Sequence, residues 1–325
     1  MDTVKPLRQV RSRVFDSERW QGYAPRSDDI IIGTYSKCGT TWMQRIVSML
    51  VFASAEPRQI WDLSPWPDMR LFGPVEATLE KAEAQTHRRF FKTHLPYDAL
   101  PLHDGVKVVH VARDGRDAAL SLHNHLSNFT ANTLDRLDEI SIADPKFGDP
   151  YPRAASDSAD FFHDWISDEC SDGQGDTGLS FFQTENSYWQ ARRNPNLLLV
   201  HYADLIRDRA REMRRIANFL EISISDPLWP ALVDAASFES MRRQGDELIP
   251  ALEMLWGEQG AQRFFHKGSN RRWEGIFRPL DLDLYDAKVG EAFTPELAGW
   301  IEHGSSATER KMTQPISRHD RDGRR

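Results

Sequence analysis

Asp29-Ile30-Ile31-Ile32-Gly33-Thr34-Tyr35-Ser36-Lys37-Cys38-Gly39-Thr40-Thr41-Trp42 is the stretch on which the reading of this chain turns. Its first third is a short β-branched apolar run bounded by polar residues, the mark of a buried strand. Its last residues open Thr41-Trp42-Met43-Gln44-Arg45-Ile46-Val47-Ser48-Met49-Leu50, which carries a helical pattern. Between them lies a loop that enters a helix N-terminus, where backbone N–H groups and the positive end of the helix dipole point at one spot. Gly39 lets that backbone approach an anion, and Lys37, Thr40 and Thr41 add one charge and two hydroxyl donors. The loop therefore reads as P-loop-like and phosphate-binding. It is not a Walker A loop, in which lysine follows the glycine directly, because Lys37 precedes Gly39 by two residues.

Outward from this stretch, three further runs read as strands: Arg89–His94, Lys107–Ala112 and Asn196–Tyr202. Helical patterns separate them; in Arg209–Leu220, residues Met213, Ile216, Ala217 and Leu220 share one face. Strands alternating with helices imply an α/β fold, a single domain over 1–325 with a central parallel sheet flanked by helices. Ligands in such sheets bind at the carboxyl ends of the strands. The acidic stretch from about 128 to 177, dotted with Pro, Gly and Ser, is expected to be a surface insertion or lid. The polar tail from about 305 to 325 is expected to be flexible.

Composition sets the outer limits. The 325 residues are 40% hydrophobic and 28% charged, with 10 Trp and 17 Phe, enough for a large core and an aromatic pocket. Lys and Arg total 41 against 49 Asp and Glu, and a net charge of −8 argues against a general nucleic-acid binder. Two cysteines, Cys38 and Cys170, form neither a disulfide framework nor a zinc pattern. No apolar run approaches the roughly 18 residues of a membrane span, and no signal-peptide stretch opens the chain. A cytoplasmic protein without an integral membrane segment is expected.

The loop Thr34 to Trp42 resembles the T-Y-P-K-S-G-T-T-W loop of sulfotransferases that use 3′-phosphoadenosine 5′-phosphosulfate (PAPS), the cytosolic small-molecule type and their bacterial relatives; Ser36 stands in place of proline and Cys38 in place of serine. Lys92-Thr93-His94-Leu95-Pro96 matches that family's K-T-H-L-P segment, and Val111-Ala112-Arg113 followed by Ser121 is similar to its arginine-serine pair. His201-Tyr202-Ala203-Asp204 and Ala236-Ser237-Phe238 resemble its Y-E-D and T-S-F segments. Phe264 to Trp273 resembles its R-K-G…W segment, with His266 in place of arginine. The likeness runs from about residue 29 to 275.

The resemblance implies a transfer of a sulfuryl group from PAPS to a hydroxyl of a phenol, alcohol or glycolipid, with PAP as product and no metal. It implies His94 as base, with Lys37, Lys92 and Ser121 beside it in catalysis. It assigns the cofactor to Lys37, the backbone N–H of Cys38, Gly39, Thr40, Thr41, Trp42, Arg113, Ser121, Tyr202, Phe238, His266, Lys267 and Gly268. An imidazole titrating near neutrality suits proton abstraction, and ammonium groups suit charge on a transferring group. Arg271 or Arg272 stands ready to substitute for the arginine that His266 replaces. Arg116 and Asp117 read as a solvated ion pair at a helix start. Trp66, Phe72 and the cluster Phe161-Phe162-His163-Asp164-Trp165 are candidates for an apolar acceptor groove. A small-molecule kinase that needs Mg²⁺ and a non-catalytic nucleotide-binding module are the alternatives. The oligomeric state is open.

Overall fold

Each of the four apolar runs is a strand: β1 (Ile30–Gly33), β2 (Phe90–Thr93), β3 (Lys107–Ala112) and β4 (Leu197–His201). They form one parallel sheet in the order β2-β1-β3-β4. The computed structural model of the chain describes residues 6–170 and 179–306. The expected tail lies almost wholly outside the described residues, as does the Ser171–Asp176 end of the acidic stretch.

The strands are apolar on both faces because both faces are covered. Ile31, Phe91, Val108 and Leu197 join one core cluster, and Ile30, Ile32, Phe90, Val109 and Val111 join the other. The Thr40–Phe52 helix buries Met43, Ile46, Val47 and Leu50 on the second face, together with Met213, Ile216 and Ala217 of the Arg209–Phe219 helix. The Gly115–Leu126 helix buries Ala118, Ala119, Leu120 and Leu122 on the first. The helices that follow β1 and β3 therefore lie on opposite faces. The crevice between their N-termini is the switch point at which parallel sheets bind ligands.

Register fixes what reaches that crevice. Gly33 pairs with Thr93 on one side and His110 on the other, and Ala112 pairs with His201. The residues that leave β1, β2, β3 and β4 are accordingly Thr34, His94, Arg113 and Tyr202.

The described part of the 128–177 stretch holds two helices, Ala131–Ala143 and Ser158–Cys170. Leu137, Phe161, Phe162, Trp165 and Ile166 are buried in the main core. Phe162 stacks on Phe277 at 3.8 Å between centroids, and Trp165 donates to the Tyr35 hydroxyl at 3.1 Å. The aromatic cluster Phe161–Trp165 is thus core rather than groove: residues at i, i+1, i+4 and i+5 form one apolar helix face, and the helix at Pro279–Ala292 covers it. No described helix is long and apolar enough to cross a membrane.

Candidate active site

The loop after β1 is bent by two residues in the left-handed region, Lys37 at φ 65° and Gly39 at φ 107°. Gly39 caps the Thr40–Phe52 helix without any side-chain hydrogen bond, so the first-turn N–H groups keep no side-chain partner there. A Cβ at position 39 would sit 2.9 Å from the Tyr202 ring as well as straining φ, so glycine is required on two counts. The hydroxyls of Thr34 and Thr40 lie 2.6 Å apart and tie the loop's ends together.

His94 leaves β2 directly beside this loop. Its Nδ1 lies 2.8 Å from the Thr34 carbonyl oxygen, which makes Nδ1 the protonated nitrogen and leaves a lone pair on Nε2. Burial, followed by the charge of Lys92, holds its pKa well below the ordinary histidine value, so the ring is neutral. Lys92 is two residues earlier on the strand and so projects to the same side as His94. Its Nζ sits 3.3 Å from the centroid of Trp66. Burial, and then the neighbouring Lys37, lowers the Lys92 pKa to about 7. Lys37 is lowered to about 7 in turn, by burial and then Arg113. Among the described residues neither ammonium has an ion-pair partner.

Arg113 spans the crevice. It donates to the Lys37 carbonyl at 3.3 Å and the Ser269 carbonyl at 2.8 Å, and its guanidinium lies 4.2 Å from the Tyr202 ring centroid. Trp42 meets Tyr202 edge-on at 5.2 Å. Gly268, at φ 64°, lies so close to Phe238 that a Cβ would come within 2.2 Å of that ring. The 266–273 loop is pinned by Asp117, whose carboxylate accepts from the N–H groups of Arg271 and Arg272 at 2.7 and 3.1 Å. Arg116 bonds Asp114 at 2.7 Å and covers the Trp273 ring at 4.1 Å. The expected solvated pair Arg116–Asp117 is therefore corrected: both are buried, with different partners, because this loop folds over the helix start.

One cavity of about 390 Å³ gathers these groups, a size typical of small-ligand sites. Lys37, Gly39, Thr40, Thr41, Trp42, Lys92, His94, Arg113, Ser121, Tyr202, Phe238, His266, Lys267 and Gly268 all line it. Cys38 does not: it is fully buried, and its N–H turns to the Tyr35 carbonyl at 3.4 Å. Trp66 and Phe72 line the apolar lobe, as expected, joined by Phe15, Trp61, Phe129 and Trp256. The polar lining is basic, with Arg209 and Arg272 added and Glu239 the one acid. The His266 pKa is lowered by burial and by Arg272, whose guanidinium lies 3.3 Å from Nδ1.

Two groups escaped the sequence reading. Asp68, fully buried, accepts from the indoles of Trp20 and Trp66 at 3.1 and 3.0 Å and so orients the wall beside Lys92. His125 takes Lys37 Nζ at 3.3 Å on its Nδ1. Its place four residues after Ser121, on the same helix face, was the available signal.

Comparison with known proteins bears on this geometry. Residues 27–295 match the sulfotransferase domain model. A glycolipid sulfotransferase of Mycobacterium bovis is 33% identical over 90% of this chain and 94% of its own. Rat sulfotransferase 1A1 is 25% identical over 84% of this chain and 87% of its own. Mouse sulfotransferase SULT7A1, solved with PAP, superposes with a TM-score of 0.64 at 19% identity, covering 96% of this chain and 99% of the other. Retinol dehydratase, solved with retinol and PAP, gives 0.62 at 22% identity, covering 85% of each chain.

Proposed function

We propose, because this chain belongs to the sulfotransferase family and acts as a PAPS-dependent enzyme, that His94 is the base of a sulfuryl transfer to a hydroxyl held in the apolar lobe. The kinase and binding-module alternatives give way to that family membership. The observation that carries the assignment of roles is the convergence of two ammonium groups, neither with an ion-pair partner among the described residues, and a neutral imidazole on one cavity beside an uncapped helix N-terminus.

The residues fit a doubly phosphorylated nucleotide. Buried cations without carboxylate partners are costly, and an anion is what they lack. When bound, PAPS supplies the sulfuryl group and departs as PAP. Lys37, Thr40, Thr41 and the first helix turn would hold the 5′ end. Arg113, Ser121 and Lys267 would hold the 3′-phosphate, and Trp42, Tyr202 and Phe238 would enclose the adenine. Arg272 rather than Arg271 stands in for the family arginine at His266, because Arg272 lines the cavity while Arg271 pairs with Glu274 outside it at 2.5 Å.

His94 accepts the acceptor's hydroxyl proton at Nε2. The hydroxyl oxygen bonds to sulfur as the bond from sulfur to the 5′-phosphate oxygen breaks, and Lys37 and Lys92 offset the charge on the leaving side and on the sulfuryl oxygens. The lining of Phe15, Trp61, Trp66, Phe72, Phe129 and Trp256 suits an acceptor with an extended apolar part, a phenol, a hydrophobic alcohol or a glycolipid. A cytoplasmic setting suits Cys38, a buried free thiol within the loop.

Labelled PAPS offered with a panel of phenols, alcohols, amines and glycolipids tests the reading. Transfer is expected to survive a metal chelator and to fall by roughly 100-fold or more in His94→Ala, with PAP affinity within about threefold of wild type. Turnover in that variant close to normal would remove His94 from the role of base.

A further inference from the structure

Lys37 belongs to the phosphate loop, and its ammonium group reaches across the cavity to a partner on the facing helix. Nζ lies 3.3 Å from Nδ1 of His125 and 4.4 Å from the centroid of Phe264. His125 belongs to the third turn of the Gly115–Leu126 helix, across the crevice from the loop. Its ring is wedged between Phe129, at 5.0 Å, and Trp256, at 4.7 Å, and the Trp256 indole donates to the His125 carbonyl at 3.0 Å. The imidazole is therefore held in place from two sides. Burial and the charges of Lys37 and Lys92 keep it neutral, with its pKa well below the ordinary value, so Nδ1 can accept. Ser121, one turn earlier on the same face, lines the cavity but is not the group that holds Lys37.

We propose that His125 is a positioning residue for the transfer: with Phe264 it clasps the Lys37 ammonium in the ligand-free enzyme, and it competes with the phosphosulfate for that charge. The proposal rests on the functional reading above. A hydrogen bond to a charged donor is stronger than a neutral one, and a cation over an aromatic face adds to it. Binding of the anion has to draw Lys37 out of this clasp, so part of the anion's affinity is offset by what the clasp gives up.

The test is PAP binding by calorimetry in the full chain at about pH 6, below the Lys37 pKa of about 7 so that the ammonium is present, with folding checked by circular dichroism and thermal melting. His125→Leu removes the acceptor nitrogen and is expected to bind PAP about tenfold more tightly. His125→Asn, whose Oδ1 takes the place of Nδ1, is expected to return affinity to the wild-type value. In a Lys37→Ala background, His125→Leu is expected to change nothing. Should the leucine variant fail to fold, His125→Phe carries the same expectation, since it also lacks an acceptor. PAP binding unchanged or weakened in the folded leucine or phenylalanine variant would overturn the proposal, as would equal tightening without Lys37. Wild type that fails to bind PAP would instead overturn the functional reading, so the two failures are told apart.

Discussion

Lys37 and Lys92 carry pKa values of about 7, each lowered chiefly by burial. In the ligand-free enzyme at pH 8 most of this charge is absent, and a bound phosphosulfate would restore it by favouring the ammonium forms. Binding of PAP above pH 7 is therefore expected to take up protons. Calorimetry in two buffers of different ionisation enthalpy checks this, and uptake is expected to vanish near pH 5.5, where both lysines are already charged. The rate follows the same sign. The kcat/KM for PAPS, which reports the free enzyme, is expected to fall as pH rises through about 7, while kcat at saturating PAPS holds to higher pH. His94 adds no acid limb near neutrality, because its pKa is already depressed. Arg272 gives a second test at this scale. Its Nε is buried without a partner, and its N–H is pinned by Asp117. Arg272→Ala is expected to weaken PAP by roughly 10- to 100-fold, the worth of a charge-assisted bond. Affinity for the analogue lacking the 3′-phosphate is expected to stay within about threefold.

At the scale of elements, the site is assembled by the ends of strands and one returning loop. That loop, 266–273, has a glycine where its backbone lies on Phe238. Gly268→Ala would add the left-handed penalty of about 1–2 kcal/mol and drive a methyl into the ring. Gly275→Ala supplies the control, for its φ of 74° is similar but its Cβ would meet nothing within 4 Å. Both variants are expected to lose the left-handed penalty, Gly268→Ala more because of the clash with Phe238, and only Gly268→Ala is expected to lose PAP affinity, by about tenfold or more. Equal PAP binding in the two would mean that Phe238 does not depend on this contact. The strands, the loop and the K-T-H segment were legible because each is a local signal: β-branched runs, a glycine before a helix, and five consecutive residues, Lys92 to Pro96, that match a family segment. His125 and Asp68 were not, since Lys37 lies 88 residues from His125 and Trp20 lies 48 from Asp68, and the one local mark, a histidine four residues after Ser121, does not say which cation it meets. Arg116 and Asp117 looked solvated for the same reason, because only the fold brings 266–273 over them. The Phe161–Trp165 cluster shows the converse limit: periodicity tells which face of a helix is apolar, but not whether core or cavity covers it.

For the whole molecule, the cavity sets stability against function. The chain carries a net charge of −8, yet Lys37 and Lys92, buried on one site, have no ion-pair partner among the described residues. Lys92 is 8% exposed, and in the unfolded chain it would titrate near 10.4. With the folded pKa depressed to about 7, the unfolded chain binds the additional proton between these values, so this residue makes stability rise with pH across that window. Below pH 7 the folded protein bears the full cost of a desolvated ammonium. Lys92→Met keeps the length and the contact with Trp66 while removing the charge. At pH 6.5 and without ligand, the variant is expected to be more stable than wild type by on the order of 1 kcal/mol or more, a few degrees in Tm. The gap is expected to close by about pH 10. Saturating PAP reverses the order, because wild type gains RT ln(1 + [L]/Kd), about 2.7 kcal/mol at a hundredfold excess over Kd, and the variant gains less. Thermal melts at pH 6.5 and 10, with and without PAP, measure all four corners. A ligand-free variant that melts below wild type at pH 6.5 would show that Lys92 is stabilised by its surroundings rather than held there for the anion.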